Sequence, residues 1–376
     1  MRIAFYCPTV DLSDDTPSGD RRMADLLIAA LRLAGHEVVI ASRLRSYGKA
    51  ADAARLIKLE DEASRDRNHL VRRFGEGGQA PDLWFTYHPY YKAPDLIGPL
   101  LSQTFSIPYV TAEASFAGKR AAGPWADWHK ASLPALARAA CHFIFTARDR
   151  EGLLAGGVEQ SAMVDLPPFI DTAPFLTVAG PRLRNRPPHM VCVAMMRGGR
   201  KLQSFRDLAN ALARLGDIGW RLTLYGDGPQ RAAVEAAFAV LPAGRIHFAG
   251  RIAPQDLPAA LAGADLYVWP GLGEAYGLAY LEAQAAGLPV VAYDSGGVSA
   301  CVEDGQTGLL VGENDDAGFA AAIRSLLQNS ELRDRLGSEA CTMVLTKRSL
   351  SVAAERLEAA LSLIVPASPS WRQVMP

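Results

Sequence analysis

Five cysteines in 376 residues, none in a Cys-x-x-Cys spacing, are too few and too scattered for a disulfide scaffold or a zinc ribbon. Cys7, Cys141 and Cys192 fall in apolar, strand-like runs, and with Cys301 and Cys341 they read as small core residues of a reducing compartment. No run approaches the roughly eighteen consecutive apolar residues that a spanning helix needs. The opening stretch, Met1 to Pro8, is too short an apolar run for a signal peptide, so the expected location is the cytoplasm. An excess of one charge is missing too. Lys and Arg number 39 and Asp and Glu 40, a formal net charge of -1, which gives no electrostatic case for a nucleic-acid partner. The basic runs are local: Arg43, Arg45, Arg72 and Arg73 early, and Arg182, Arg184 and Arg186 later. They suit a solvated rim, or peripheral contact with an anionic membrane surface or acceptor. No His-Glu-x-x-His or Asp-x-Asp element stands at a strand end, so neither a metal nor a cofactor is expected.

What is present describes a globular protein of two domains. Hydrophobic residues make up 49% and charged residues 21%, and the length suits two cores. Short apolar runs alternate with helical patterns, which predicts parallel sheets covered by helices. In the first half the strands are 2–7, 37–41, 82–87, 109–112 and 142–146, with a helix over about 21–34 that Gly35 ends. A stretch rich in proline and arginine, 167–188, separates these from strands at 190–195, 221–225, 245–248, 265–269 and 289–293. From Asp315 onward the pattern is helical, at about 316–328, 331–344 and 349–364. The resulting division is 1–170, a linker 171–188, a second domain 189–350, and a helix and tail 351–376.

The densest chemistry lies between Pro270 and Gly312. Glu274 and Glu282, with seven residues between them, straddle a glycine turn that opens a helix. The backbone N–H groups of Tyr276, Gly277, Leu278 and Ala279 stand at that helix start, where orphan donors and the dipole favour a phosphate. A carboxylate before the turn can accept sugar hydroxyls, and one in the second helical turn can accept both hydroxyls of a ribose. The competing reading is an ordinary strand-helix-strand unit in which Glu282 is a solvated surface residue.

This segment resembles the E-x7-E signature of retaining glycosyltransferases of family 4, and the likeness extends to Gly296-Gly297, to Asp304-Gly305 and to Thr307-Gly308-Leu309-Leu310-Val311. The resemblance implies an α/β protein of GT-B architecture: two Rossmann-like, doubly wound parallel-sheet domains facing across a cleft, with the last helix crossing back to the N-terminal domain. It also implies transfer of a sugar, with retention, from a nucleotide diphosphate sugar to a hydroxyl of a saccharide or lipid-linked acceptor, in polysaccharide or glycolipid biosynthesis and without a metal. Under it Glu274 orients the sugar and Glu282 the ribose. Arg197 and Lys201 neutralise the leaving diphosphate, Arg251 after Gly250 touches the base, and Gly19 approaches the donor phosphate or the acceptor. Tyr225-Gly226-Asp227-Gly228-Pro229 resembles a further turn of the family, whose glycines serve structure equally well.

The chain departs from the family at two places. The spacing from Arg197 to Lys201 is one residue short, so Arg200 is an alternative for either cation. After strand 109–112, where the family has a histidine against the donor sugar, the chain reads Thr111-Ala112-Glu113-Ala114-Ser115. Glu113, Ser115, Lys119, His129 and His88 are the candidates for that space, and Tyr90 and Tyr91 beside His88 suit sugar stacking. These departures keep a catalytically silent sugar-nucleotide binder or partner subunit open as the alternative. A nucleotide-sugar epimerase, which shares the architecture, is disfavoured by the paired glutamates.

Overall fold

A computed structural model describes residues 1–14, 18–75, 80–178 and 186–365. Pro17, Arg182, Arg184 and the tail 366–376 lie outside them. The chain divides into two compact units, Met1–Pro167 with Leu350–Pro376, and Pro168–Ser349.

The first unit is a six-stranded parallel sheet in the order β2-β1-β3-β4-β5-β6, with β1 Arg2–Tyr6, β2 Glu37–Ile40, β3 Leu83–Tyr87, β4 Tyr109–Ala112, β5 Cys141–Ile144 and β6 Met163–Asp165. Its helices are α1 Gly19–Leu33, α2 Ala53–Gly75, α3 Gly98–Thr104, α4 Ala126–Arg138 and α5 Ala147–Ala155. The central strands are buried throughout because helices cover both faces of a parallel sheet. Phe5, Phe85 and Phe143 stack across the sheet with ring centroids 5.5 and 5.9 Å apart. Ser18 caps α1 by accepting from the Arg21 N–H at 3.1 Å, and Gly35 stops the helix at φ +85.

The second unit begins with the short α6, Ala173–Leu176, and holds a parallel sheet in the order β12-β11-β10-β7-β8-β9. Its strands are β7 His189–Val193, β8 Arg221–Tyr225, β9 Ile246–Gly250, β10 Leu266–Val268, β11 Val290–Asp294 and β12 Gly308–Gly312. The helices are α7 Arg200–Ala213, α8 Arg231–Phe238, α9 Leu257–Ala262, α10 Leu278–Ala285, α11 Asp316–Gln328 and α12 Ser330–Lys347. The last helix, α13 Leu350–Ile364, belongs to the first unit, where it packs on α1 with Leu357 and Leu361 fully buried. Each such leucine contributes about 1.5–3 kcal/mol of burial. Each sheet has one strand more than the sequence pattern suggests. β6 is a three-residue edge strand, too short to show a period, and β12 is bracketed by glycines that read as turns. Among the described residues no helix is long and apolar enough to cross a membrane.

Candidate functional site

Strand order says where to look. In the second sheet the chain runs from β7 outward through β8 and β9, then returns to place β10 on the other side of β7. The loops leaving β7 and β10 therefore depart in opposite directions, and in such sheets ligands bind at the carboxyl ends of those two strands.

The loop after β7 leads into α7, whose N-cap is Gly199 at φ +69 and whose first residues are Arg200 and Lys201. The loop after β10 runs Trp269-Pro270-Gly271-Leu272-Gly273-Glu274. They meet at one carboxylate. The Lys201 ammonium donates to Glu274 Oε1 in a short ion pair, and the Trp269 indole N–H donates to the same oxygen at 3.1 Å. The ammonium also stands 5.5 Å from the centroid of the Trp269 ring.

The backbone under Glu274 is tightly constrained. Gly297 N–H donates to the Glu274 carbonyl at 3.0 Å, and a methyl built on Gly296 would stand 2.2 Å from that oxygen. Gly271 has φ +70, and a methyl there would meet the Tyr280 hydroxyl at 1.9 Å. Leu272 N–H donates to Ser204 Oγ, and Gly273 N–H to Ser295 Oγ, whose hydroxyl donates to Glu313. The Arg200 guanidinium crosses the Gly273 turn, 2.0 Å from where a Cβ would lie. Arg197 is exposed on the loop before α7.

Gly277, at φ +86, is the N-cap of α10, so the N–H groups of Leu278 and Ala279 occupy helix positions that leave them without an intrahelical carbonyl. Tyr276 is buried just before the turn, and Glu282 is half-buried one turn into the helix. Arg251 is exposed beyond Gly250, at the end of β9. Gly226 and Gly228 are positions of close approach: a methyl on either would lie 1.9 or 2.4 Å from the carbonyl of Ala194 or Met196. That turn buttresses the β7 loop. The Thr307–Val311 stretch likewise makes a turn and a strand, with Leu310 N–H donating to Asp304 Oδ1 at 2.9 Å.

In the first sheet the strand order reverses between β1 and β3. There the carboxyl ends carry Asp20, at the start of α1, and His88, just beyond β3. His88 Nδ1 lies 3.6 Å from Asp20 Oδ1, and Nε2 lies 3.9 Å from Glu113 Oε1, just beyond β4. Tyr87 donates to Glu113 Oε2 at 2.8 Å. His88 and Glu113 have φ +57 and +54, a conformation that costs a side-chain-bearing residue about 1–3 kcal/mol. Their N–H groups extend the ladder, to Ala112 O at 2.8 Å and Phe143 O at 3.0 Å, and His88 stacks on Tyr90 at 4.8 Å.

Burial pulls the His88 imidazole down, but Glu113, Asp20 and Asp149 outweigh it and hold it at about 9. Burial pushes Glu113 up to about 7 against the pull of His88. Burial raises the Asp20 carboxyl, but the hydrogen bond and charge of His88, together with Thr9 and Arg45, hold it below the usual range.

Of the other first-unit candidates, Gly19 is exposed at the start of α1, and Lys119 is exposed in the short turn Gly118–Arg120. His129 is buried on α4 beside the Phe116 ring, centroids 5.1 Å apart, and makes no hydrogen bond or ion pair with His88 or Glu113. Arg45 donates to the Thr9 carbonyl at 2.9 Å, while Arg72 and Arg73 are exposed at the end of α2.

Sequence reasoning alone missed Trp269, Asp149 and Glu313. Their signal is position beyond a strand end, Trp269 after β10, Asp149 in the first turn of α5 and Glu313 after β12, and reading it requires the strand order. Among the described residues no group of three or more His, Cys, Asp or Glu side chains is placed to hold a metal ion.

Residues 187–329 match the family described as glycosyl transferases group 1. The chain is 27% identical over 281 residues to the alpha-D-kanosaminyltransferase of Streptomyces kanamyceticus, a match covering 72% of each protein. It is 34% identical over 159 residues to the D-inositol 3-phosphate glycosyltransferase of Corynebacterium diphtheriae, which is 41% of this chain and 37% of that protein, so this second match spans well under half of the relative. Among solved structures, sucrose-phosphate synthase from Thermosynechococcus elongatus superposes with a TM-score of 0.72 at 21% identity, over 98% of this chain and 100% of that one. Anabaena HepE in complex with UDP gives 0.71 at 18% identity, over 96% and 100%. These structural likenesses establish the GT-B fold.

Proposed function

We propose that this chain, a group 1 glycosyltransferase of GT-B architecture acting on a nucleotide diphosphate sugar, uses the switch point of its second unit to transfer the sugar with retention to a saccharide or lipid-linked hydroxyl. The observation that carries the reading is the convergence of Lys201, Glu274 and the start of α10 on the carboxyl ends of β7 and β10. Lys201, with Arg197 or Arg200, meets the diphosphate. The N–H groups of Leu278 and Ala279 add partial positive charge where negative charge grows as the glycosyl bond breaks.

Glu274 accepts sugar hydroxyls, Glu282 accepts the ribose hydroxyls, and Arg251 lies against the base. The acceptor hydroxyl approaches the anomeric carbon on the face that the diphosphate leaves. Its oxygen bonds to that carbon as the carbon–phosphate oxygen bond breaks, and its proton passes to the departing phosphate oxygen. No covalent nucleophile is required. Within the first unit, His88 and Glu113 are the residues proposed to contact an acceptor. For a lipid-linked acceptor, the Arg72 and Arg73 end of α2 would face an anionic surface.

Calorimetric titration with UDP-, GDP-, ADP- and CMP-sugars in EDTA, on the wild type and on Glu282→Ala, tests this. UDP-sugars come first, since HepE is seen with UDP. One nucleotide class should bind and should weaken about ten- to a hundredfold in Glu282→Ala, the loss of a charged hydrogen bond. Absence of binding by every donor would overturn the transferase reading. Binding without any nucleotide release would favour the silent binder.

A further inference from the structure

Trp269 is held more firmly than a strand-end residue requires. Its backbone N–H donates to Val291 O at 3.1 Å, and its carbonyl accepts from the Tyr280 hydroxyl at 3.2 Å. Its ring meets Phe205 edge-on at 4.8 Å, and the residue is 2% exposed. From that fixed position it touches both charged groups of the site. The indole N–H bonds Glu274 Oε1, and Lys201 stands over the ring.

We propose that Trp269 is a positioning residue of the donor site, which keeps the Glu274 carboxylate aligned when Lys201 turns toward a diphosphate. The inference rests on the donor-site reading above. Lys201 and Trp269 share one carboxylate oxygen, Glu274 Oε1. A bound diphosphate draws the ammonium away, and a carboxylate held by Lys201 alone would then be free to rotate. An indole N–H cannot follow the phosphate, because its ring is fixed by Phe205 and its backbone by β11 and Tyr280. Being neutral, it also leaves the carboxylate charge available to sugar hydroxyls. The ring face gives the ammonium a second resting place, so that Lys201 can move without leaving the site.

Trp269→Phe removes the N–H donor and keeps an aromatic face. With UDP-glucose, or whichever donor the wild type uses, kcat for nucleotide release should fall about ten- to a hundredfold, the loss of one charge-assisted hydrogen bond. The Kd for free UDP should rise by much less than kcat falls, because UDP brings no donor-sugar hydroxyl that needs an aligned Glu274. An unchanged kcat, or a loss shared equally by UDP affinity, overturns the proposal. If the wild type neither binds nor turns over any nucleotide sugar, the donor-site reading is what fails.

The hydrogen bond itself is tested without activity, and without a Trp269 variant that must fold. In an indole 15N–1H spectrum of the six tryptophans, Glu274→Gln should displace one N–H signal well beyond the other five. In the wild type that same signal should stay protected from solvent exchange when donor is added. No selective displacement, or exposure on donor addition, refutes the anchoring role.

Discussion

Gly296 tests whether the loop after β11 holds Glu274 in place. Alanine there has two costs of different kind. The residue sits at φ +63, where a Cβ costs about 1–2 kcal/mol. Its Cβ would also stand 2.2 Å from the Glu274 carbonyl oxygen, against a floor of 3.0 Å for real Cβ contacts, so the backbone of the loop that carries Glu274 must move by about 0.8 Å. Gly305 separates the two effects. It has φ +71, but a methyl there would meet nothing within 4 Å.

Gly305→Ala should therefore lower the thermal midpoint by about 2–8 °C and leave turnover alone. Gly296→Ala should lower the midpoint at least as far and reduce nucleotide release about a hundredfold, because a displacement near 1 Å at a reacting group has effects of that order. The assay is thermal unfolding beside nucleotide release from the donor that the wild type prefers. Equal turnover in the two variants would refute the reasoning, since it would mean that Glu274 does not depend on the approach of Gly296.

The first unit should be pH-sensitive. His88 is raised to about 9 in the folded state, so its contribution is fully present below about 6.5 and is lost as pH rises through 9. Glu113, raised to about 7, favours the folded state below its ordinary value near 4.5, and that gain is lost as pH rises through 7. Stability should therefore fall from pH 5 to 9, and His88→Gln should flatten the upper part of the profile in thermal melts; an unchanged slope above pH 7 would count against the cluster. Nucleotide release should be insensitive to millimolar EDTA, and complete loss on chelation, restored by a divalent cation, would overturn the metal-independent mechanism.

The strands, their parallel pairing and the paired-glutamate segment were legible in the sequence because each is written locally, in apolar runs, glycine turns and spacing. β6 and β12 were not, since three residues show no period and glycine disguises a strand. The site was legible in part. Glu274, Lys201 and the α10 turn can be named from the chain, but that Lys201 reaches Glu274 and not Arg197's end of the loop depends on where α7 begins, at Gly199. Trp269 carries no motif at all. It acquires its place only when β10 is laid beside β7, a pairing between residues about 75 apart in sequence. The absence of the family's histidine after β4 was visible, whereas its physical counterpart was not: Glu113 occupies that strand end, and a histidine stands one strand over, at His88. His129, which helical spacing left open as the substitute, is removed by the direction α4 takes, turning it onto Phe116.

Both reversal points share an electrostatic arrangement that bears on selectivity. At each of them a cation is paired with a carboxylate beside it, Lys201 with Glu274 and His88 with Asp20 and Glu113. A bare phosphate that recruits Lys201 must separate the ammonium from Glu274 and leave a half-buried carboxylate held by one neutral donor. In the proposed donor site a nucleotide sugar would supply an anion for Lys201 and hydroxyls for Glu274 together, so that the charge separated on entry is solvated again by the ligand itself. Affinity for the sugar nucleotide should then exceed affinity for inorganic phosphate and for the free nucleoside diphosphate by more than the added contacts suggest, and Glu274→Gln should narrow the gap by releasing Lys201 to any anion. Competition binding with inorganic phosphate and UDP against UDP-glucose measures that gap, and tighter phosphate binding by the wild type than by Glu274→Gln would show that the pair does not act as a gate.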